Sequence, residues 1–443
     1  MAIPNHWNAF NLRQSPFFQD TLWAGVDARY PLELFVGRET ETQRILRGIV
    51  GAPDSRQVVV GAPGYGKTTL VQYVKSKAAA KGFISNAEPV SMMSTERVDD
   101  LLVRILSYVY DTLYSFSEGS LAKEDAMQTA QQLVLAFRVQ SGGANASFSF
   151  NTPAGGIGVG MGRNKNIAYQ QSSFVSPAMV VPRLLAQLLA LGRAKLKACE
   201  GIVVHLNNME NLTDADGEAT GRMLRDLRDL FLRDGYHYLL VGTPDIVRTA
   251  IAPHAQLRSV FMTSEPLNAL TLDEFVLLLR RRYRHLKLNA RKAVAEPVTV
   301  SALKELYDLF TGDLRGLLNA LDYSADLLLG YTGKAPASPM EANGIHAVLR
   351  RRYRTEAASR MTESALENLD TLFEESTSQF TQVELTERWK VSQAFVSKTI
   401  NEWQRFGYAR EAGRDRRRIT YELTGPAKVM LTGGRPTSPR RRK

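Results

Sequence analysis

Short unbroken apolar runs alternate along this chain with longer stretches whose apolar positions recur every three or four residues. Val58-Val59-Val60 is the first such run, and Thr69-Leu70-Val71-Gln72-Tyr73-Val74 beyond it reads as a helix. Phe83 to Ser91 is a second apolar segment, followed by helical patterns over about Thr95–Tyr114 and Leu121–Gln140. A helix is then predicted from Pro177 to Lys197, a buried strand at Gly201-Ile202-Val203-Val204-His205-Leu206, a helix from Glu218 to Arg233 and a strand at Tyr238-Leu239-Leu240-Val241. Unbroken apolar runs suit strands covered on both faces, and their alternation with amphipathic helices predicts an α/β fold on a parallel sheet. The stretch Val180 to Leu191 is interrupted by Pro182, Arg183 and Gln187, so it reads as a packed helix and not as a membrane span.

Two regions break the pattern. Ser141 to Ser176 carries Phe148-Ser149-Phe150 and Gly155-Gly156-Ile157-Gly158-Val159-Gly160-Met161-Gly162, which predicts a glycine-rich, hairpin-like insertion. Pro336-Ala337-Ser338-Pro339 predicts a linker. After it, Phe380–Trp389 reads as a helix, Lys390-Val391-Ser392 as a turn and Gln393–Phe406 as a second helix. Phe395 or Val396, with Ile400 and Trp403, forms its inward face. Two short strands follow, Tyr408–Glu411 and Ile419–Leu423, joined by a turn over Ala412–Arg418.

A chain of 443 residues, 44% hydrophobic and 23% charged, is expected to be soluble and to hold two or three domains. Its single cysteine, Cys199, excludes an internal disulfide, and Met1–His6 lacks the pattern of a secretory signal, so a cytoplasmic protein is expected. The net charge of +11 is uneven: Gln379–Lys443 holds 15 Lys/Arg against 6 Asp/Glu, a net of +9, leaving +2 for everything before it. Positive charge gathered at one end is a footprint for a polyanion, most often nucleic acid.

Gly61-Ala62-Pro63-Gly64-Tyr65-Gly66-Lys67-Thr68 is a P-loop, G-x-x-x-x-G-K-[ST], set between a predicted strand and a predicted helix. Glycine lets the loop backbone close around phosphate oxygens and turn its N–H groups, with the helix N-terminus, toward the anion. Gly61, Pro63, Gly64, Tyr65, Gly66 and Thr69 are the expected cradle. Lys67 is assigned to the β- and γ-phosphates, and the Thr68 hydroxyl is the candidate Mg²⁺ ligand. ATP and Mg²⁺ are thus the expected cofactors.

Further segments resemble the AAA+ ATPases, particularly the initiator and origin-recognition clade and the related STAND switch ATPases. The resemblance covers roughly Pro31 to Gly330. Leu34-Phe35-Val36-Gly37-Arg38-Glu39 with Glu41 looks like the box that packs beside the adenine base, which implies nucleotide contacts for Val36, Gly37 and Arg38. Leu240-Val241-Gly242-Thr243-Pro244 resembles the sensor-1 strand and makes Thr243 its polar residue. Arg258 lies where the family places an arginine finger, with Arg248 as its competitor. Gly312-Asp313-Leu314-Arg315-Gly316 resembles sensor 2, with Arg315 directed at the phosphates. The implied architecture is an N-terminal arm (1–30), an AAA+ core (31–265, with 141–176 as the insertion), a helical lid (266–330), a linker and helix (331–362), a winged helix-turn-helix (363–432) and a basic disordered tail (433–443).

The chain departs from the family where the Walker B acids belong. Ile202-Val203-Val204-His205-Leu206 ends in Asn207-Asn208, and an amide neither holds Mg²⁺ as a carboxylate does nor acts as a general base. Glu210 is the candidate substitute, with Asp214 and Asp216 more remote. At the other end, the resemblance to winged-helix DNA-binding domains implies that Gln393, Ser397, Lys398 and Asn401 face a major groove. It also implies that Arg414, Arg416, Arg417 and Arg418 of the wing contact backbone or minor groove. The expected partners are double-stranded DNA, further copies of the chain and other protein components, with no membrane. Three functions are compatible: a nucleotide-controlled switch or assembly factor on DNA with slow hydrolysis, a hydrolysing DNA-remodelling motor, and an ATP-binding scaffold in mobile-element targeting or phage defence.

Overall fold

The computed structural model describes residues 5–24, 28–94, 97–140, 176–263, 265–310, 312–329, 338–374, 379–415 and 418–432. The glycine-rich insertion (141–175), Arg416, Arg417 and the basic tail (433–443) lie outside the described residues, as do the side chains of Asp214, Asp216 and Arg414. The chain forms two compact units. One is Thr21–Ala62 with Gly66–Leu267; the other joins Met1–Asp20, Pro63–Tyr65 and Asn268–Lys443.

The first unit contains α1 (Glu39–Val50), β1 (Ser55–Val60), α2 (Lys67–Ala79), β2 (Phe83–Ile84), β3 (Val90–Ser91), α3 (Val98–Phe116), α4 (Asp125–Gln140) and α5 (Pro177–Lys195). It continues through β4 (Gly201–Asn207), α6 (Glu210–Asp226), α7 (Arg228–Phe231), β5 (Tyr236–Gly242), a π-helical turn at Ile246–Ile251, α8 (Ala255–Val260) and β6 (Met262–Thr263). The strands form one parallel sheet in the order β2-β4-β5-β1-β6, with β3 also on β4. Side chains alternate across it: Val58, Val204, Tyr238 and Leu240 enter a core with α3, α4 and α5, whereas Val59, Val203, Leu239 and Val241 pack against α1 and α2. Two of the buried hydroxyls there find partners, Tyr108 Oη donating to the Val203 carbonyl at 2.9 Å and Tyr236 Oη to that of Leu185 at 2.7 Å, whereas that of Tyr238 has none among the described residues.

The chain leaves β1 toward β2 but passes from β5 across β1 to β6. Connections from the C-terminal ends of β1 and β5 therefore depart in opposite directions, the topology at which open α/β sheets gather their ligands. The predicted segment Phe83–Ser91 is two short strands, and the helix expected from Glu218 begins at Glu210.

The second unit contains α9 (Leu272–His285), α10 (Val300–Phe310), α11 (Leu314–Leu329), α12 (Ala342–Arg360) and α13 (Glu363–Glu374). Then come β7 (Gln379–Thr381), α14 (Gln382–Trp389), α15 (Gln393–Arg405), β8 (Ala409–Asp415), β9 (Arg418–Leu423) and α16 (Gly425–Leu431). The three strands make an antiparallel sheet, β7-β9-β8. Trp403 is its buried pivot: the indole N–H donates to the Ala365 carbonyl at 2.9 Å, and the ring meets Phe380 and Trp389 edge-on. The sheet module is joined tightly to the helices before it. Tyr408 Oη donates to the Tyr353 carbonyl at 2.9 Å, and Gly425 sits so close to the Phe310 ring that a Cβ there would come within 2.3 Å of it.

Candidate functional site

The P-loop follows β1 and opens α2, so its geometry comes from the strand-to-helix reversal. Gly64 and Gly66 have φ of +84° and +77°, and Gly66 caps α2 in the left-handed conformation, where a side chain costs about 1–2 kcal/mol. Lys67 begins the helix, and its ammonium donates to the Gly61 and Ala62 carbonyls at 2.9 and 3.1 Å. It thus lies folded back over the loop. The neighbouring Thr68 hydroxyl donates to Asn207 Oδ1 at 3.4 Å, across 139 residues of sequence. The P-loop helix and the end of β4 therefore meet where the Walker B resemblance places a metal-holding side chain.

Asn207 is the last residue of β4, and its carbonyl accepts from Met92 N–H at 2.8 Å. Asn208 follows with φ +59°, a left-handed position that an Asn tolerates better than most residues. That bend places Glu210 on the first turn of α6. A Cβ on Gly242, the last residue of β5, would lie 3.5 Å from Glu210 Oε2. Asn207, Glu210 and the Gly242-Thr243 corner are thus gathered at the C-terminal edge of the sheet, next to Thr68. Thr243 is half-buried there, and its carbonyl accepts from Ile246 N–H at 3.2 Å.

The upstream box is built against the same helix. Gly37 and Arg38 both have positive φ, +70° and +69°, and turn the chain into α1. Leu34, Val36 and Arg38 are buried, Arg38 pairs with Glu41 at 3.2 Å, and the Phe35 ring lies 4.6 Å from that of Tyr73 on α2. Behind the loop, Lys75 of α2 is almost fully buried, its ammonium donating to the Ala87 carbonyl at 3.0 Å. Burial pushes Lys75 down to about 7, opposed by nearby Glu88. Burial, and then the Lys75 charge, hold His205 well below the ordinary imidazole range. His205 is a neutral core residue, and no sequence signal pointed to Lys75 as its neighbour.

Both candidate fingers are held locally. Arg248 pairs with Asp245 at 2.5 Å, and Arg258 donates from Nη1 to the Ala252 carbonyl; both are exposed. Arg315 is exposed on the first turn of α11, in the second unit. The loop tip Pro63–Tyr65 belongs to that same unit, where a Cβ on Gly64 would stand 3.0 Å from both Arg315 Cβ and Asp313 Oδ1.

In the C-terminal module, Thr381 and Glu384 form a capping box for α14, Lys390 turns the chain with φ +53°, and Ser392 caps α15. Val396, Ile400 and Trp403 are fully buried, whereas Phe395 is exposed. Of the two residues open for the inward position, the structure selects Val396. Gln393, Lys398 and Asn401 are exposed and Ser397 half-exposed on the outer side of α15. Arg418, at the start of β9, reaches Glu384 Oε1 at 3.2 Å.

No protein-family model and no curated protein sequence matches the chain. Among solved structures, it is similar to the ORC2 protein of Aeropyrum pernix in its ADPNP–ADP complexes, at 13% identity over 94% of this chain and 95% of that one, with a TM-score of 0.46. It is similar also to the Walker-type ATPase PABY2304 of Pyrococcus abyssi, at 12% identity over 94% and 99%, TM-score 0.46. The ORC1 protein of Aeropyrum pernix in complex with DNA overlaps at 14% identity over 89% and 92%, TM-score 0.39.

Proposed function

We propose that this chain is an AAA+ ATP-binding protein that uses its C-terminal winged helix on duplex DNA, as a nucleotide-controlled switch or assembly factor with slow hydrolysis. One observation carries the reading: the P-loop Thr68 hydroxyl meets an amide, Asn207, where a metal-holding carboxylate would otherwise stand. The loop glycines, Lys67 and the N-terminus of α2 would hold the phosphates, and Lys67 would exchange the Gly61 and Ala62 carbonyls for them. Val36, Gly37 and Arg38 would line the base.

Mg²⁺ fits this site modestly. Two neutral oxygens, from Thr68 and Asn207, converge on it, and among the described residues no group of three or more His, Cys, Asp or Glu gathers to bind a metal. An ion that keeps several waters and leans on nucleotide oxygens is compatible with that set, and bound there it would supply charge neutralisation to the phosphates. Glu210, which lies against Gly242, would take a proton from an attacking water, with Thr243 orienting that water. Arg315 would reach the γ-phosphate from the lid, and Arg258 a neighbouring subunit's nucleotide.

The experiment is a titration of the full chain with ATP and Mg²⁺, with and without duplex DNA, read as bound nucleotide, turnover and oligomer mass. Tight ATP binding lost in Lys67→Ala, turnover near background, and an ATP-dependent change in DNA affinity or mass are expected. Rapid turnover abolished by Glu210→Gln would replace the switch with the motor; DNA affinity and mass both indifferent to ATP would overturn it.

A further inference from the structure

The string Arg-Arg-Arg-Tyr-Arg occurs twice, at 280–284 on α9 and at 350–354 on α12, and the second unit treats the two copies differently. On α12 three of the four cations find partners within the fold, and Arg351 is exposed. Arg352 pairs with Glu356 at 2.9 Å and covers the Tyr323 ring, Arg354 pairs with Asp370 at 3.0 Å, and Arg350 donates to the Thr432 carbonyl. On α9 only the third arginine is buried: Arg282 donates to the carbonyls of Pro16 and Phe18 at 3.0 and 2.7 Å, with its guanidinium over the Phe18 ring. The copy on α9 opens a longer basic stretch, with seven Lys/Arg and no Asp or Glu from Arg280 to Lys292. Arg280 reaches Glu296 at 3.8 Å, but among the described residues exposed Arg284, Arg291 and Lys292 have no carboxylate within ion-pair distance.

These charges sit on a rigid support. Asn11, in the left-handed conformation, donates from Nδ2 to the carbonyls of Asn289 and Lys292 at 3.0 and 2.8 Å, while its Oδ1 accepts from Asn289 N–H at 2.8 Å. Its own carbonyl accepts from Leu288 N–H at 2.9 Å. The loop carrying Arg291 and Lys292 is therefore pinned to the N-terminal arm. The same arm adds exposed Arg13, whose guanidinium donates to the His285 carbonyl at 2.6 Å. The macrodipole of α9 explains a cation in its last turn, such as Arg284, but its influence fades before Arg291 and Lys292. Holding like charges together on an ordered loop costs repulsion, which a regularly charged polyanion would relieve.

We propose that this corner, formed by Arg13, Arg284, Arg291 and Lys292, is a second contact for duplex DNA, made to the phosphate backbone and blind to sequence. The choice of duplex DNA over other polyanions rests on the reading of the C-terminal module given above. Both surfaces belong to one compact unit, so a duplex that reached both would make the two contacts together.

Binding of the full chain to duplexes of unrelated sequence, followed by fluorescence anisotropy between about 50 and 200 mM salt, tests this. For Arg284→Gln/Arg291→Gln/Lys292→Gln, the slope of log K against log salt should fall by about 2 to 3, equally on every sequence. Arg291→Glu/Lys292→Glu, confined to the exposed loop, should lose affinity further while its unfolding midpoint stays that of the parent. A parallel variant, Lys398→Gln/Asn401→Ala, separates the two readings. If it weakens binding while both corner variants keep the parental slope, the corner proposal falls and the winged-helix reading stands. If the corner variants lose slope and it has no effect, the reverse holds. If the parent protein binds no duplex, both fall.

Discussion

Lys75 offers the sharpest energetic test, because a buried cation writes its cost into the pH dependence of folding. Its pKa falls from 10.5 to about 7 on burial in α2. Between those values the unfolded chain binds a proton that the folded chain does not, so stability rises with pH across the window. The full difference corresponds to about 5 kcal/mol, at about 1.4 kcal/mol per pKa unit, and is felt entirely below pH 7. From pH 6 to pH 9 about 3 kcal/mol of it is recovered. Lys75→Met fills a similar volume without the charge, and it also releases the Ala87 carbonyl, which keeps its bond from Gln72 Nε2 at 2.7 Å. Urea unfolding of parent and variant at matched pH isolates the term, because Cys199, pushed up by burial from 9.0 to about 11, contributes equally to both proteins. The variant should be more stable at pH 6, and its advantage should shrink by about 3 kcal/mol by pH 9. An advantage that stays constant across that range would refute the buried-ammonium reasoning.

Other expectations follow from the same contacts. Gly221→Ala would put a Cβ 2.3 Å from His254 Nε2 and 2.9 Å from the Ala250 carbonyl, so thermal unfolding should show a loss of about 1–3 kcal/mol, whereas Gly413→Ala, with open space around it, should stay within about 0.5 kcal/mol. Gly66→Ala meets no atom within 4 Å but is strained by φ +77°; it should weaken ATP binding in calorimetry while lowering stability by only about 1–2 kcal/mol. Asn207→Asp places a carboxylate beside Thr68 and should make ATP affinity depend on Mg²⁺ more strongly, by roughly tenfold, in titrations with and without EDTA.

Much of the sheet was legible because its strands are unbroken apolar runs, and the P-loop because its chemistry is packed into eight consecutive residues. The C-terminal helices were legible from their period, yet Phe395 and Val396 are both apolar neighbours, and the sheet module around Trp403 decides which one turns inward. The first turns of α6 were missed for a physical reason. Asn211-Leu212-Thr213-Asp214-Ala215-Asp216-Gly217 is a poor helix by propensity, and the segment is held by tertiary contact, with Leu212 buried and Gly217 lying against Thr249. The approach of Thr68 to Asn207 was implied by the family resemblance alone, and that of Glu210 to Gly242 joins two elements that no local pattern brings together. The arm was invisible in the same way: the reach of Asn11 to Asn289 spans 278 residues.

The bond from Tyr408 to the Tyr353 carbonyl, with Gly425 seated on Phe310, ties the C-terminal sheet module to the helices that precede it. In mechanical terms, α15 and its sheet are mounted on α10 and α12 as one piece. On the reading proposed above, any turn of those helices would carry α15 with it, so DNA contact and the packing of α10 and α12 would change together.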